Sequence, residues 1–172
     1  MMRRTVGQRV DTMTRSSLPA LITLLLVVIN MVPLHIPGIA RIMPVLPLIA
    51  VYHWSVYRPA LMPPYVVFAI GLLHDVLSGA PIGVNALVYL TVYGIVESQQ
   101  RFLVGKSFAV VWLGFGIISL IATIEAWFLV SVLSSVIVEP NAALFQFILN
   151  FGFFPLLAWV FLRYQQIFLS SE

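Results

Sequence analysis

The sequence contains no cysteine and few charged residues. Without cysteine there is neither a disulfide framework nor thiolate chemistry to consider. Charged residues make up 9% of the chain, whereas a soluble globular protein carries about 25%. With 61% hydrophobic residues and a mean hydropathy of +1.04, the 172-residue chain is predicted to be an integral membrane protein with one domain.

The motifs of the common catalytic classes are also missing. There is no GxSxG and no HExxH pattern. Gly105-Lys106-Ser107 resembles the end of a phosphate-binding loop, but Gln100 stands where that loop requires its first glycine. His74 has no second histidine at ligand spacing, and its acidic neighbour points in another direction on a helix. We therefore expect no enzymatic activity, no metal and no cofactor.

Six apolar segments follow an arginine-rich N-terminal arm. We divide the chain into a cytoplasmic arm, a transmembrane domain and a cytoplasmic tail, which cover residues 1–17, 18–168 and 169–172. The predicted helices cover residues 18–37, 42–57, 64–78, 81–97, 108–138 and 142–168. This pattern predicts an all-α bundle of six transmembrane helices.

Prolines and aromatic residues refine these predicted helices. Ser17 is expected to cap the first helix, with Pro19 in its first turn. Tyr52, Trp54 and Tyr57 precede Arg58 and are interpreted as a belt at the membrane interface. The third and fourth helices are short for a hydrocarbon core of about 30 Å, so the turn between them is expected below the membrane surface. Pro155 is expected to kink the last helix.

Lysine and arginine are distributed unevenly between the two predicted faces of the membrane. One face carries Arg3, Arg4, Arg9, Arg15, Arg58, Arg101, Lys106 and Arg163. The other carries only Arg41. Because cytoplasmic loops are enriched in basic residues, both termini are predicted to be cytoplasmic. The net charge of +3 is then explained by membrane orientation rather than by binding to nucleic acid.

The turn between the third and fourth helices carries an acid within an apolar run. An intramembrane carboxyl group is costly and marks a functional or partner-binding position by default. Asp75 would lie at a helix C-terminus, where the dipole disfavours an anion. Free N–H groups at the start of the next helix, around residues 79–83, or the cation of Arg41 would compensate. The candidate structural or partner site comprises Gly71, His74, Asp75, Gly79, Pro81, Gly83 and Asn85. Whether Asp75 only caps the hairpin or also contacts a partner or ligand is left open.

Three further polar residues lie inside predicted helices. They are Glu125, Gln146 and Asn150. Gln146 and Asn150 are four residues apart and share a helix face, so we interpret them as interhelical hydrogen-bonding groups. Glu125 is either such a group or part of a polar pocket shared with Asp75. Gly114 with Gly116, and Ala122 with Ala126, form small-residue faces that pack within the bundle or against a partner helix.

The middle third of the chain resembles a known family. Residues 47–59, Phe68-Ala-Ile-Gly-Leu-Leu-His-Asp75, Gly79-Ala-Pro-Ile-Gly83 and Asn85-Ala-Leu87 are similar to the rod shape-determining protein MreD family. The resemblance implies a non-enzymatic, multi-pass subunit of the bacterial inner membrane that belongs to the cell-elongation complex. Its members bind MreC, a single-span protein, and are connected through it to MreB, RodA and a class B penicillin-binding protein.

The same resemblance supplies an alternative function. The family is similar in outline to the substrate-binding subunits of energy-coupling-factor transporters, which have six helices and a site open to the outside. A vitamin-type substrate would need a pocket with convergent polar groups. Asp75, Asn85, Glu125 and Asn150 are the candidates for these groups.

Overall fold

A computed structural model describes residues 6–32, 43–135 and 139–168 of the chain. These residues form six α-helices and no strand. The helices are α1 (Val6–Asn30), α2 (Leu46–Tyr57), α3 (Pro64–Ser78), α4 (Val84–Leu103), α5 (Phe108–Ser134) and α6 (Pro140–Phe168). A short 3₁₀ helix, Pro59–Leu61, joins α2 to α3. The predicted all-α class is confirmed, whereas the number of membrane crossings and the side of the termini stay predictions.

The first helix starts earlier than predicted. α1 begins at Val6, so Ser17 is not its N-cap and Pro19 lies inside the helix. A proline removes only one N–H group from the helix, and the hydroxyl of Thr23 donates to the Pro19 carbonyl at 2.8 Å. α1 ends at Asn30, and the rest of the predicted helix, residues 33–37, lies outside the described residues.

The second helix is the core of the bundle. Every residue from Pro47 to Val56 is buried, and α2 contacts α1, α4 and α6. Its sequence has no polar stripe, as expected for a helix that is covered on all sides. The ring of Tyr52 meets Phe115 of α5 and Phe154 of α6 edge-on, at centroid distances of 5.1 and 5.6 Å.

This burial corrects the interpretation of the aromatic residues of α2. Tyr52 and Trp54 are fully buried, so they belong to the bundle core rather than to an interface belt. Tyr57 is half-buried at the helix end. The apolar bodies of Tyr52 and Trp54 gain more from packing against rings of α5 and α6 than from contact with lipid headgroups. The predicted end of this helix is confirmed, whereas its predicted start at residue 42 lies outside the described residues.

The third and fourth helices form an antiparallel hairpin. α3 has the predicted bounds, Pro64–Ser78. α4 begins at Val84 rather than at residue 81, because Pro81 and Ile82 belong to the turn. It ends at Leu103 rather than at residue 97, so most of the predicted polar loop is helical. With 20 residues at about 1.5 Å each, α4 is long enough to cross a bilayer.

The last two helices are the longest apolar segments. α5 ends at Ser134, and residues 136–138 of its predicted range lie outside the described residues. α6 begins at Pro140, two residues before the predicted start, and contains Pro155; the predicted kink there stays a prediction. Among the described residues, α5 and residues 140–163 are the two helices long and apolar enough to cross a membrane.

Candidate functional site

The carboxylate of Asp75 is buried against the start of α4. One oxygen, Oδ2, accepts a hydrogen bond from the N–H of Gly83 at 2.9 Å. The other, Oδ1, accepts from the backbone N–H and the side-chain Nδ2 of Asn85, both at 2.9 Å. The N–H of Ala86 lies 3.5 Å from Oδ2. The acid thus occupies the N-terminal end of α4, where unpaired N–H groups and the helix dipole favour an anion.

These contacts agree with one of the two compensations predicted for Asp75. The donors come from the start of the next helix, as expected, but they are Gly83, Asn85 and Ala86 rather than residues 79–82. The difference follows from the later start of α4. The alternative partner, Arg41, lies outside the described residues.

Two glycines give the turn its shape. Gly79 ends α3 with φ +69°, and Gly83 precedes α4 with φ +102°. These left-handed values are strained for residues with a Cβ. Pro81 lies between the two glycines in the turn. The turn therefore reverses the chain within a few residues and aims the first N–H groups of α4 back at Asp75.

Gly71 allows the two helices of the hairpin to approach closely. A Cβ at this position would lie 2.4 Å from the Cα of Ala86 and 2.9 Å from the carbonyl carbon of Asn85. Both are backbone atoms and cannot move independently of α4. Gly71 and Asp75 are four residues apart on one face of α3, so the close approach and the carboxylate contacts reinforce each other.

His74 pairs with a residue of α4 rather than with Asp75. Its Nδ1 lies 2.6 Å from the hydroxyl of Tyr89, and the two rings stack at a centroid distance of 5.9 Å. Both side chains are buried. Within the described residues no group of three metal-ligating side chains occurs. His74 therefore acts in this structure as a second hydrogen-bonded link between α3 and α4.

Glu125 is separate from the Asp75 cluster. Its Oε1 accepts a hydrogen bond from the hydroxyl of Thr91 at 3.0 Å, which joins α5 to α4. Its Oε2 is buried without a hydrogen-bond partner among the described residues. The structure therefore does not bring Glu125 and Asp75 into one polar pocket.

Gln146 and Asn150 bind the segment that leads into α2. The Oδ1 of Asn150 accepts from the N–H of Val45 at 2.7 Å, and the Nε2 of Gln146 donates to the Met43 carbonyl at 3.5 Å. Both partners are backbone groups just before α2, and the N–H of Val45 is one of those at a helix start that have no intrahelical acceptor. The two residues thus connect α6 to the start of α2, in line with the predicted interhelical role.

A cavity of about 240 Å³ lies beside these groups. All six helices contribute to its lining, and the polar contributors include Asn30, His74, Asn85, Gln146 and Asn150. The small residues Ala122 and Ala126 of α5 form part of its wall. No Lys, Arg, Asp or Glu is among the lining residues that the structure describes. Its wall is thus mainly apolar, with several amide and hydroxyl side chains among the lining residues.

The two glycines of α5 pack within the bundle. A Cβ at Gly114 would lie 3.1 Å from the hydroxyl of Tyr52, and one at Gly116 would lie 2.8 Å from the ring of Phe151. Their close neighbours are thus α2 and α6 of the same chain. The small side of α5 is therefore occupied internally at these two positions.

The sequence did not predict two polar residues of α4 that pair with other helices. They are Tyr89, which pairs with His74, and Thr91, which pairs with Glu125. Tyr89 lies four residues after Asn85, and this helical spacing puts both on one face of α4. That spacing was the available signal for Tyr89. Thr91 had no such signal, because its pairing with Glu125 depends on how α4 packs against α5.

Comparison with known proteins identifies the family of the chain. The family described as rod shape-determining protein MreD matches residues 11–167, which is nearly the whole chain. Neither the curated proteins nor the solved structures gave a significant match. The extent of the family match and the apolar all-helical fold agree with each other, and the chain belongs to the MreD family of membrane proteins, which has a role in determining rod shape.

Proposed function

We propose that this protein is a non-enzymatic, multi-pass subunit of the bacterial inner membrane. In this proposal it binds an MreC-like single-span protein and so links rod-shape control to peptidoglycan synthesis. MreB, RodA and a class B penicillin-binding protein are then indirect partners. The observation that carries the proposal is the family match over residues 11–167 on a chain whose outer surface is largely apolar side chains.

The exposed side chains support a location inside the bilayer. Leu113, Ile117, Ile124 and Phe128 of α5 are each more than half exposed, as are Leu144 and Leu156 of α6. A soluble monomer rarely exposes apolar patches beyond a few hundred Å². Lipid tails keep such a surface out of contact with water, so the outer faces of α5 and α6 suit a hydrocarbon environment.

The internal contacts support six crossings with both termini on the cytoplasmic side. Near one end of the bundle, Gln100 in the last turn of α4 donates to the carbonyl of Val56 in α2 at 3.4 Å. The basic residues Arg58, Arg101 and Lys106 lie close to this end in the chain. At the opposite end, the Nδ2 of Asn30 donates to the Pro44 carbonyl at 2.9 Å. With these contacts α2 runs antiparallel to α1 and parallel to α4, which is the arrangement expected if the basic loops share the cytoplasmic side.

Aromatic contacts of the basic residues support the same orientation. Lys106 lies over the ring of Phe102 at 5.2 Å, and Arg163 lies over the ring of Trp159 at 5.7 Å. Such pairs combine an apolar body with a charged tip and suit the membrane–water boundary. They fit a boundary near the end of α4 and the end of α6.

An apolar cleft between α5 and α6 is the surface that we assign to the single-span partner. It is lined by Leu120, Ile124, Leu144 and Phe147 together with other apolar residues, and its volume is about 240 Å³. The small Ala143 lets a neighbouring helix approach closely. The exposed Ile82 at the tip of the hairpin offers a second apolar contact outside the cytoplasm.

Site-specific photo-crosslinking in native membranes tests this assignment. A photoreactive residue at Ile124 in the cleft or at Ile82 in the hairpin should crosslink to a single-span protein with a large extracytoplasmic domain. The matched control is Leu25, which is exposed to a similar extent on α1. A partner captured equally well from Leu25, or from none of the three positions, would contradict the proposal.

Loss-of-function phenotypes distinguish the scaffold from a vitamin-type transporter. A scaffold predicts that depletion converts rods into spheres and that no added nutrient restores their shape. A transporter subunit predicts co-purification with an energising ATPase module and growth that depends on the imported vitamin. Affinity purification from native membranes, with identification of the bound proteins, separates these two outcomes.

A further inference from the structure

We propose that the cavity lined by residues of all six helices is a binding site for a small uncharged molecule, or lipid head, that carries amide or hydroxyl groups. The cavity does not coincide with the cleft assigned to the partner helix, since the two are lined by different parts of α5 and α6 and share only Thr123. The inference therefore does not depend on partner binding.

The amide side chains in the cavity wall have fixed orientations. Asn30 donates through Nδ2 to the Pro44 carbonyl, and Asn150 accepts through Oδ1 from the N–H of Val45. Each backbone partner determines which end of the amide it binds. The opposite ends of the two amides, the Oδ1 of Asn30 and the Nδ2 of Asn150, take no part in these bonds.

Gln146 adds a second acceptor of the same kind. Its Nε2 donates to the Met43 carbonyl at 3.5 Å, and its Oε1 takes no part in that bond. Asn150 is only 1% exposed, so its amide has little access to water outside the cavity. A ligand with both donors and acceptors would satisfy these groups together.

The described lining of the cavity includes no Lys, Arg, Asp or Glu, and we therefore expect an uncharged ligand. A buried ion without a counter-charge is strongly disfavoured, and both oxygens of Asp75 are engaged by α4. The remaining wall includes Val84, Val88, Ala126 and Val130, which suit the apolar side of a ligand. The volume of about 240 Å³ is below the roughly 300–1,000 Å³ of most drug-sized pockets. The ligand is therefore small, uncharged and polar on one side.

The test uses the full-length chain in detergent and N-acetylglucosamine as the probe. This sugar is uncharged and carries one amide and several hydroxyl groups, while glucosamine and glucuronate have a similar ring with a positive or a negative charge. We expect a saturable rise in Tm with N-acetylglucosamine. Both charged analogues should bind at least about tenfold more weakly.

Cavity variants locate the binding. Ala126→Leu places a larger side chain in the cavity wall and should weaken binding by about tenfold or more. Gln146→Leu removes one acceptor and should weaken it about three- to tenfold. Ala109→Leu is the matched control, because Ala109 is an exposed residue of the same helix that does not line the cavity. Its affinity should remain that of the wild type.

Native mass spectrometry distinguishes a free ligand from a lipid head. If the source is a lipid, an uncharged lipid should co-purify with the wild type and with Ala109→Leu but be lost from Ala126→Leu. The proposal is overturned if the folded wild type binds neither the sugar nor such a lipid. It is equally overturned if the charged analogues bind as tightly, or if Ala126→Leu binds as well as the control.

Discussion

The carboxylate of Asp75 is held by four donors at the start of α4, and three of them lie at 2.9 Å. An acid in an apolar segment is normally expensive because its charge loses hydration. Here the backbone N–H groups of a helix start replace water, and those N–H groups need an acceptor themselves. The carboxylate that has lost hydration and the N–H groups that lack an acceptor thus satisfy each other. Asp75 therefore stabilises the hairpin whether or not it also contacts a partner.

Replacement of Asp75 should therefore be costly. Asp75→Ala leaves the donors of Gly83 and Asn85 without an acceptor and should lower the free energy of unfolding by about 3 kcal/mol. Asp75→Asn keeps one acceptor oxygen and should lose roughly half as much. Chemical unfolding in detergent measures both values.

The neighbouring Ser78 provides the control for these variants. Its hydroxyl donates to the Asp75 carbonyl at 3.3 Å, and the side chain is exposed. Ser78→Ala should stay within about 0.5 kcal/mol of the wild type. Full stability and full rod shape in both Asp75 variants would refute the structural importance of this carboxylate.

A second prediction concerns the pair formed by Thr91 and Glu125. Thr91→Val removes the hydroxyl that donates to Oε1 at 3.0 Å and should cost about 1 kcal/mol, in the range of hydrogen bonds between membrane helices. Thr91→Ser keeps the donor and should be close to the wild type. Wild-type stability of Thr91→Val, or a larger loss in Thr91→Ser than in Thr91→Val, would show that the methyl group matters more than the hydroxyl and would contradict the prediction.

At the scale of helices, the contact of α3 with α4 depends on a missing side chain. Gly71→Ala would place its Cβ 2.4 Å from the Cα of Ala86, so the helices must separate. We expect a loss of about 2–3 kcal/mol, the upper range for overpacking. The separation should also weaken the bonds from Asp75 to α4, so the loss should shrink when Asp75 is already replaced.

Gly94→Ala is the matched control for this helix contact. Gly94 lies in α4, and a Cβ there would meet nothing within 4 Å. Because alanine favours a helix more than glycine by up to about 1 kcal/mol, this variant should be neutral or stabilised. Thermal unfolding of both variants in one detergent decides the matter, and equal losses would contradict the close approach at Gly71.

Local signals predicted some elements of this fold better than others. The bounds of α3 follow from Pro64 at its start and Gly79 at its end, and both act through their own backbone. Pro81 gives a similar start signal but lies in a turn, because the left-handed Gly83 delays α4. Pro19 is tolerated inside α1, so a proline is a weak boundary when the surrounding turns are intact.

Predictions that depend on contacts between distant helices were less complete. Gly83 was predicted correctly as a donor to Asp75, whereas the predicted range 79–83 did not reach the donors Asn85 and Ala86. Tyr52 and Trp54 were assigned to an interface because burial by α5 and α6 is not visible in α2 alone. Hydropathy reports that a helix avoids water but does not distinguish lipid from protein as its surroundings.

For the whole molecule, the natural absence of cysteine makes the orientation directly testable. Ile82→Cys, at a position that is 74% exposed in the hairpin turn, should react with a membrane-impermeant maleimide added to intact spheroplasts. Lys106→Cys, in the loop before α5, should react only after permeabilisation, because basic loops remain in the cytoplasm. After purification, any label on this protein arises from the introduced thiol, and the reverse pattern would invert the topology.

The attachment of α6 to the start of α2 has a consequence for biosynthesis. Asn150 and Gln146 belong to α6, yet they bind the backbone at Val45 and Met43, which emerge from the ribosome about a hundred residues earlier. Until α6 has been synthesised, the segment before α2 lacks these two hydrogen-bond partners. Nascent chains stalled before α6 should therefore be substrates for membrane proteases, whereas the released protein is resistant.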